Sequence, residues 1–463
     1  MANTKTTNGK AHANGTPKAK KAQEARTGAY FLSLSLENVR CFGPKQTLDL
    51  SDGNGKPARW TILLGLNGTG KTTVLQSLAF EREEEHIPRI DRELFSGATG
   101  FLRSGSNATG SWSVQVLAAR AFSDDQGELL EHSFDFDARS FTTGSPRVVK
   151  SGGITNYDAP LPWCCGFGAA RRFGNSVLFD GTEKDPIGTL FSDKADLRNP
   201  EEWLLRLDYA AYQTSALKGQ RRQRFNQIVE LILSVLPDED KIDEIRIVTS
   251  SGTNPSSSVE FKTPYGWVPM RQLGFGYQTL ITWVADFANR MVEQYPESKR
   301  PLEEPAVCLV DEIDLHLHPV WQRKLIGFLS ERFPNTQFIA TAHSPLVAQA
   351  AADANLAVLR REGNHVVIDN DVDNIRNWRV DQILTSELFG LKTAWPPWME
   401  ADLDARKAIL TKSKLTKEDQ KQLKQIESRI GELPAGQTAQ EVREMDQIRR
   451  TLDLLTKEHR PSR

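Results

Sequence analysis

The chain has 463 residues and carries 58 Lys plus Arg against 60 Asp plus Glu, a formal net charge of −2. That length allows about three domains and a sizeable core, and the charge balance excludes a uniformly basic nucleic-acid coat while leaving room for a local basic patch. No apolar run approaches the roughly 18 residues of a membrane helix, and Cys41, Cys164, Cys165 and Cys308 form no CxxC pair, so the expectation is a cytoplasmic protein of a reducing compartment with no membrane partner.

Residues 1–28 hold six Lys or Arg and one acid, with no apolar core segment. They read as a disordered basic tail rather than a secretory signal, either a solubilising leader or an electrostatic handle for nucleic acid. FLSLSLENV and QTLDLS alternate with period two and predict paired strands. RWTILLGLNGTGKTTVLQSLAF then runs from an apolar strand through a glycine-rich turn into a helix.

The long middle, about residues 81–268, reads as an inserted lobe. It contains the strand-like SWSVQVLAARAF, HSFDFDARSF and DEIRIVTSS, a helix with Asn199 as cap and Pro200 at its first position, and an amphipathic helix through Phe225, Ile228, Ile232 and Val235. AVCLVDE and QFIATAHS are two further apolar strands, and their alternation with helices predicts an α/β sheet with parallel strands. LAVLRREGNHVVI reads as a hairpin. From about Thr416, two stretches each open on a capping Thr with an acid three residues later (Thr416 and Asp419, Thr438 and Glu441), which predicts a helical hairpin over 416–457. The resulting layout is a tail at 1–28, an α/β head at 29–365 that includes the inserted lobe, and a C-terminal helical region at 366–463.

Gly65 to Thr72 is a full GxxxxGK[ST] match, with a strand before it and a helix after it. Its glycines let the backbone N–H groups around Asn67, Gly68, Thr69 and Gly70 wrap phosphate oxygens at a helix N-terminus, which Thr73 continues. Lys71 is expected to neutralise the β and γ phosphates of ATP, and Thr72 to ligate Mg²⁺. Asp311, at the end of AVCLV, completes the Mg²⁺ shell. Glu312 stands where a base orients the attacking water, and His343, at a third strand end, is placed to stabilise the γ phosphate.

GLNGTGKTT, LVDEIDLHLHP and TAHSP together resemble the ABC-type ATPase heads of the RecF, SMC and Rad50 kind. Within that group they are similar to the compact AAA-family ATPases of bacterial antiphage and overcoming-lysogenisation-defect-type systems, most of all those of the Septu type. Asn38 to Phe42, Phe167 to Arg172 and WRVDQILTSELFGL extend the likeness over roughly residues 30–392. The resemblance implies a P-loop NTPase fold of the ABC/SMC-head type, with the inserted β/helical lobe and the C-terminal hairpin added. It also implies a homodimer or higher oligomer in which a signature segment of one head caps the nucleotide of the other. Leu273 to Gln278 matches that segment, with Gly276 as a donor, but Gly274 replaces the usual Ser.

Because the chain carries an ATPase kit and no nuclease constellation, the implied role is control or loading of a separate effector, such as a nuclease, in antiphage defence. The alternative is a RecF-like ATP-dependent DNA-binding protein. His316 and His318 look like a metal pair but fall in the family's coupling loop. Asp369, Asp371 and Asp373 read as a solvated turn rather than a nuclease cluster. Arg171–Arg172 and Lys218–Arg224 are either backbone-binding patches or solvated faces, Trp395 to Trp398 is a stiff apolar elbow, and Gln115 and Gln126 are positional candidates for a Mg²⁺-reporting glutamine.

Overall fold

The computed structural model describes residues 28–79, 110–119, 128–136, 162–172, 185–212, 218–236, 242–248, 257–351, 353–372, 375, 377–412 and 414–430. The basic tail, Gln126, Asp373 and the second half of the expected C-terminal hairpin lie outside them. Among the described residues no helix is long and apolar enough to cross a membrane.

In chain order the elements are β1 (Gly28–Glu37), β2 (Gln46–Asp49), β3 (Trp60–Gly65), α1 (Lys71–Ala79), β4 (Gly110–Ala119), β5 (Glu128–Phe136), β6 (Cys164–Phe167), α2 (Gly188–Phe191), α3 (Pro200–Tyr212) and α4 (Lys218–Val235). There follow β7 (Ile245–Val248), β8 (Ser258–Thr263), β9 (Gly266–Pro269), α5 (Phe275–Gln294), β10 (Ala306–Val310), α6 (Pro319–Arg332), β11 (Thr336–Thr341), α7 (Pro345–Ala350), β12 (Asn355–Glu362), β13 (His365–Asp369), α8 (Val380–Leu384), α9 (Pro397–Leu410) and α10 (Lys417–Ile430).

The central sheet has the order β13-β12-β3-β11-β10-β6. All of its strands run parallel except the edge strand β13, which closes an antiparallel hairpin with β12, as LAVLRREGNHVVI predicts. Parallel strands covered on both faces read as continuous apolar runs, and β10 and β11 are buried at every position. One face of this sheet, with Leu63, Leu309 and Ile339, packs with α1 residues Val74 and Leu78 against Leu34, Leu36 and Val116 of the antiparallel sheet β2-β1-β4-β5. The predicted β1–β2 pairing is present. On the other face Phe167 and Phe338 meet Phe287 of α5, and Phe167 also meets Trp283 of that helix.

Gln337, fully buried on β11, links the two sheets. Its Oε1 accepts from Phe31 N and its Nε2 donates to Phe31 O, both at 2.8 Å. A buried amide is tolerated where its hydrogen-bonding capacity is used. A third, antiparallel sheet, β7-β8-β9, lies within the expected lobe. The predicted cap of α3 is also found, with Glu201 N donating to Asn199 Oδ1 at 3.0 Å. All four cysteines are free thiols; burial pushes Cys165 up to about 12 and Cys308 well above its ordinary value.

The chain divides into a unit through Ile383 and a second from Leu384. In the second, α9 and α10 run antiparallel, joined by Arg429–Asp402 at 2.6 Å and Arg406–Glu427 at 3.7 Å. The predicted capping box opens α10. Asp419 N donates to Thr416 Oγ1 at 3.1 Å, and Thr416 N donates back to Asp419 Oδ2 at 2.9 Å. Within the described residues the helix paired with α10 is α9, which precedes it.

Candidate functional site

Three strands that are adjacent in the sheet, β3, β11 and β10, end at the same edge, the carboxyl edge where parallel α/β sheets place their ligand sites. Beyond β3 the phosphate loop turns into α1. Gly65 has φ 146°, and a Cβ there would come within 2.5 Å of the Leu359 carbonyl; Gly70 has φ 84° and lies against Cys41 Sγ. Leu66, Asn67 and Gly68 are exposed, whereas Thr69 is buried and donates to Leu66 O at 2.8 Å. Lys71 Nζ donates to Gly65 O at 2.7 Å and Leu66 O at 3.0 Å. Burial lowers its pKa, while Asp311, Glu312 and Asp314 act to raise it. Thr73 is buried, and its hydroxyl accepts from Arg40 at 3.2 Å.

Asp311 is the hub. Thr72 Oγ1 donates to one of its carboxylate oxygens and Thr341 Oγ1 to the other, both at 2.7 Å. Thr341 Oγ1 in turn accepts from Glu312 N at 2.7 Å. The loop after β10 is therefore locked to the end of β11, and Glu312 takes a left-handed backbone with φ 48°. Arg171, just beyond β6, donates to the Asp311 carbonyl at 2.9 Å and also to the Glu312 carbonyl. It is buried, and that burial lowers its pKa to about 10 against the pull of Asp311, Asp314 and Glu312. Its place corrects the backbone-binding reading of Arg171: the guanidinium is spent on the hub. Arg172 binds the Asp193 carbonyl, and Arg222, in the other basic cluster, pairs with Asp208 at 3.1 Å.

His343 is exposed, and its backbone N–H donates to both oxygens of Asp314 at 3.2 Å. Gly276 lies in the first turn of α5, whose N-cap is Gly274. It packs on the loop after β10, where a Cβ would lie 2.5 Å from His316 O. His318 caps α6 through Nδ1, accepting from Val320 N at 3.4 Å, and among the described residues no three His, Cys, Asp or Glu cluster as a metal site. Asp369 pairs with Arg360, and Gln115 accepts from Ser33 Oγ at 3.2 Å. The geometry thus unites Lys71, Thr72, Asp311, Glu312 and Thr341, with His343 joined through Asp314. Sequence motifs alone give Thr341 no role and offer for Arg171 only a phosphate-backbone contact or a solvated face. Thr341 opens the TAHSP motif, and Arg171 ends the Phe167–Arg172 segment, but only the sheet order reveals what they bind.

The residues present fit a nucleotide with Mg²⁺. Thr72 Oγ1 and Asp311 Oδ2 are hard oxygens 2.7 Å apart, close to the edge of an oxygen octahedron with bonds of about 2.1 Å. Lys71 is held by weakly basic carbonyls that phosphate oxygens would replace with charge-assisted bonds.

Residues 170–348 match the family described as "AAA domain, putative AbiEii toxin, Type IV TA system". The "Septu protein PtuA" of Bacillus mycoides (strain KBAB4) is 25% identical over 388 residues, covering 83% of this chain and 48% of that one. The chain therefore spans about half the length of that relative. The "Retron Ec83 probable ATPase" of Escherichia coli is 43% identical over 89 residues, 19% of this chain and 16% of that protein. The "Septu protein PtuA" of Bacillus thuringiensis is 38% identical over 364 residues, covering 75% of this chain and 83% of that protein. With the phosphate loop, the carboxylate hub and this extent of likeness, the chain belongs to the Septu PtuA family.

Proposed function

We propose that the chain binds and hydrolyses Mg-ATP, that two copies close head to head over the nucleotide, and that this cycle controls a separate effector in antiphage defence. The observation that carries the ATPase reading is the Asp311 carboxylate bridging Thr72 and Thr341 beside Lys71. The retron relative's name and the AAA family match support the same chemistry.

Asp311 and Thr72 would hold Mg²⁺, which when bound neutralises charge on the β and γ phosphates. Lys71 exchanges its loop carbonyls for phosphate oxygens, and the Asn67–Thr73 stretch encloses them with backbone donors. Glu312, with its main chain clamped by Thr341 and Arg171, orients a water for in-line attack and accepts its proton as the γ phosphoryl leaves ADP. His343 contributes a donor at the γ phosphate. From the facing head, Gly276 and the N-terminus of α5 would supply backbone N–H groups, the contact that Gly274 makes without a hydroxyl. The separate effector, such as a nuclease, would respond to the closed state. The alternative reading is a RecF-like ATP-dependent DNA-binding protein, for which the buried Arg171 is unavailable as a phosphate-backbone contact.

Glu312→Gln is expected to bind a fluorescent ATP analogue normally and hydrolyse ATP at least about 100-fold more slowly, whereas Lys71→Ala weakens binding itself. Wild-type turnover by Glu312→Gln would remove the base assignment, and no Mg-ATP hydrolysis by the unmodified protein would remove the ATPase reading.

A further inference from the structure

Two side chains tie the loop after β10 to the loop after β11, one at His343 and one at Ser344. Asp314 accepts the His343 N–H through both carboxylate oxygens. Gln322, in the first turn of α6, donates from Nε2 to Leu317 O at 3.0 Å and Asp314 O at 3.4 Å, and accepts at Oε1 from Ser344 Oγ at 2.7 Å. Ser344 is also the N-cap of α7, accepting from Leu346 N at 3.1 Å. The backbone is therefore pinned at His343 and again at the following residue. The imidazole itself is exposed and makes no hydrogen bond among the described residues, so its position follows from its main chain.

The same loop touches the start of α5. Gly276 abuts the His316 carbonyl, Phe275 stacks edgewise on His316, and Tyr277 stacks edgewise on Trp321, each pair of rings 4.6 Å apart. Trp321 and Gln322 are neighbours on α6. A shift of the signature segment thus reaches His316 and Trp321 directly, and Gln322 is the next group along, already bonded to the His343 loop. Side-chain amides that satisfy two loops at once define a discrete arrangement rather than a soft one.

We infer that Gln322 is a positioning residue: by bonding Ser344 to the loop after β10 it fixes the main chain that carries His343, and it passes the seating of the signature segment on to that histidine. The inference rests on the ATPase reading above and adds a route by which engagement of a second head alters the hydrolysing site of the first.

The test is a double-mutant cycle on the full chain with Gln322→Ala, His343→Ala and both together, recording kcat, affinity for a fluorescent ATP analogue and unfolding temperature. Losing this bridge should lower kcat about five- to tenfold while leaving affinity within about twofold. In the His343→Ala background the second substitution should add nothing, because Gln322 acts through that imidazole. Gln322→Met, of similar length, serves if the alanine variant fails to fold. Multiplicative losses in the double variant, or unchanged kcat in a folded Gln322→Ala, overturn the inference. If Glu312→Gln is slowed as expected while Gln322→Ala is not, this inference alone fails and the ATPase reading stands.

Discussion

Glu312 and Arg171 both adopt left-handed backbone, at φ 48° and 32°, a conformation that costs a non-glycine residue roughly 1–2 kcal/mol. Glu312 is held there from both sides: Arg171 binds the Asp311 and Glu312 carbonyls, and Thr341 binds the Glu312 N–H. Removing the clamp should therefore affect turnover more than nucleotide binding. Arg171→Met leaves buried carbonyls without their donor, a loss of about 1–3 kcal/mol, and should cut kcat while preserving affinity; denaturant unfolding with a hydrolysis assay checks both. The glycines make a sharper contrast. At Gly70, φ 84° strains any side chain and an added methyl would strike Cys41 Sγ at 2.4 Å and the Phe42 ring at 3.0 Å, so Gly70→Ala should weaken nucleotide binding and Cys41→Ala should relieve only the sulfur contact. At Gly65 the obstacle is the Leu359 main chain, so Gly65→Ala should resist rescue by any side-chain change. Lys71, Thr72, Asp311 and Glu312 were legible as motif positions because strand-loop chemistry is local. Arg171 and Thr341 were not, since their partners lie 140 and 30 residues away in the chain.

At the scale of elements, the apolar runs ending in the phosphate loop, in Asp311 and before His343 were readable as strands, and their parallel pairing follows from the alternation with helices. Their spatial order was not readable. That β11 lies between β3 and β10, the last of these strands in the chain placed in the middle, is what puts Thr341 against Asp311. Nor does periodicity reveal that Gln337, a polar residue in an apolar strand, pins the antiparallel sheet to the central one. Capping chemistry is local again and reads well. Thr416→Ala removes one half of the box at α10 and should lower amide protection along that helix roughly fivefold, measured by hydrogen exchange. Its partner Asp419 is held down to about 2, first by Lys412 and then by Thr416. A depressed acid contributes above its ordinary pKa and loses that contribution as pH falls towards the folded value. Protection of α10 should accordingly be flat above about pH 4 and decline between there and pH 2, and Asp419→Asn should remove that dependence.

At the scale of the whole molecule, the proposed cycle has nucleotide drive two heads together through the signature face. Phe275 on that face is half-exposed, and His316 beside it is solvent-facing, as a surface awaiting a second head would be. Glu312→Gln should trap the proposed closed state, because it keeps the Lys71, Thr72 and Asp311 contacts and removes only the carboxylate proposed to orient water. The direct measurement is the solution mass of Glu312→Gln with and without Mg-ATP. The account predicts a monomer mass that doubles, or rises to a higher multiple, only when Mg-ATP is present. A mass that stays the same with saturating nucleotide bound would contradict head closure in this chain.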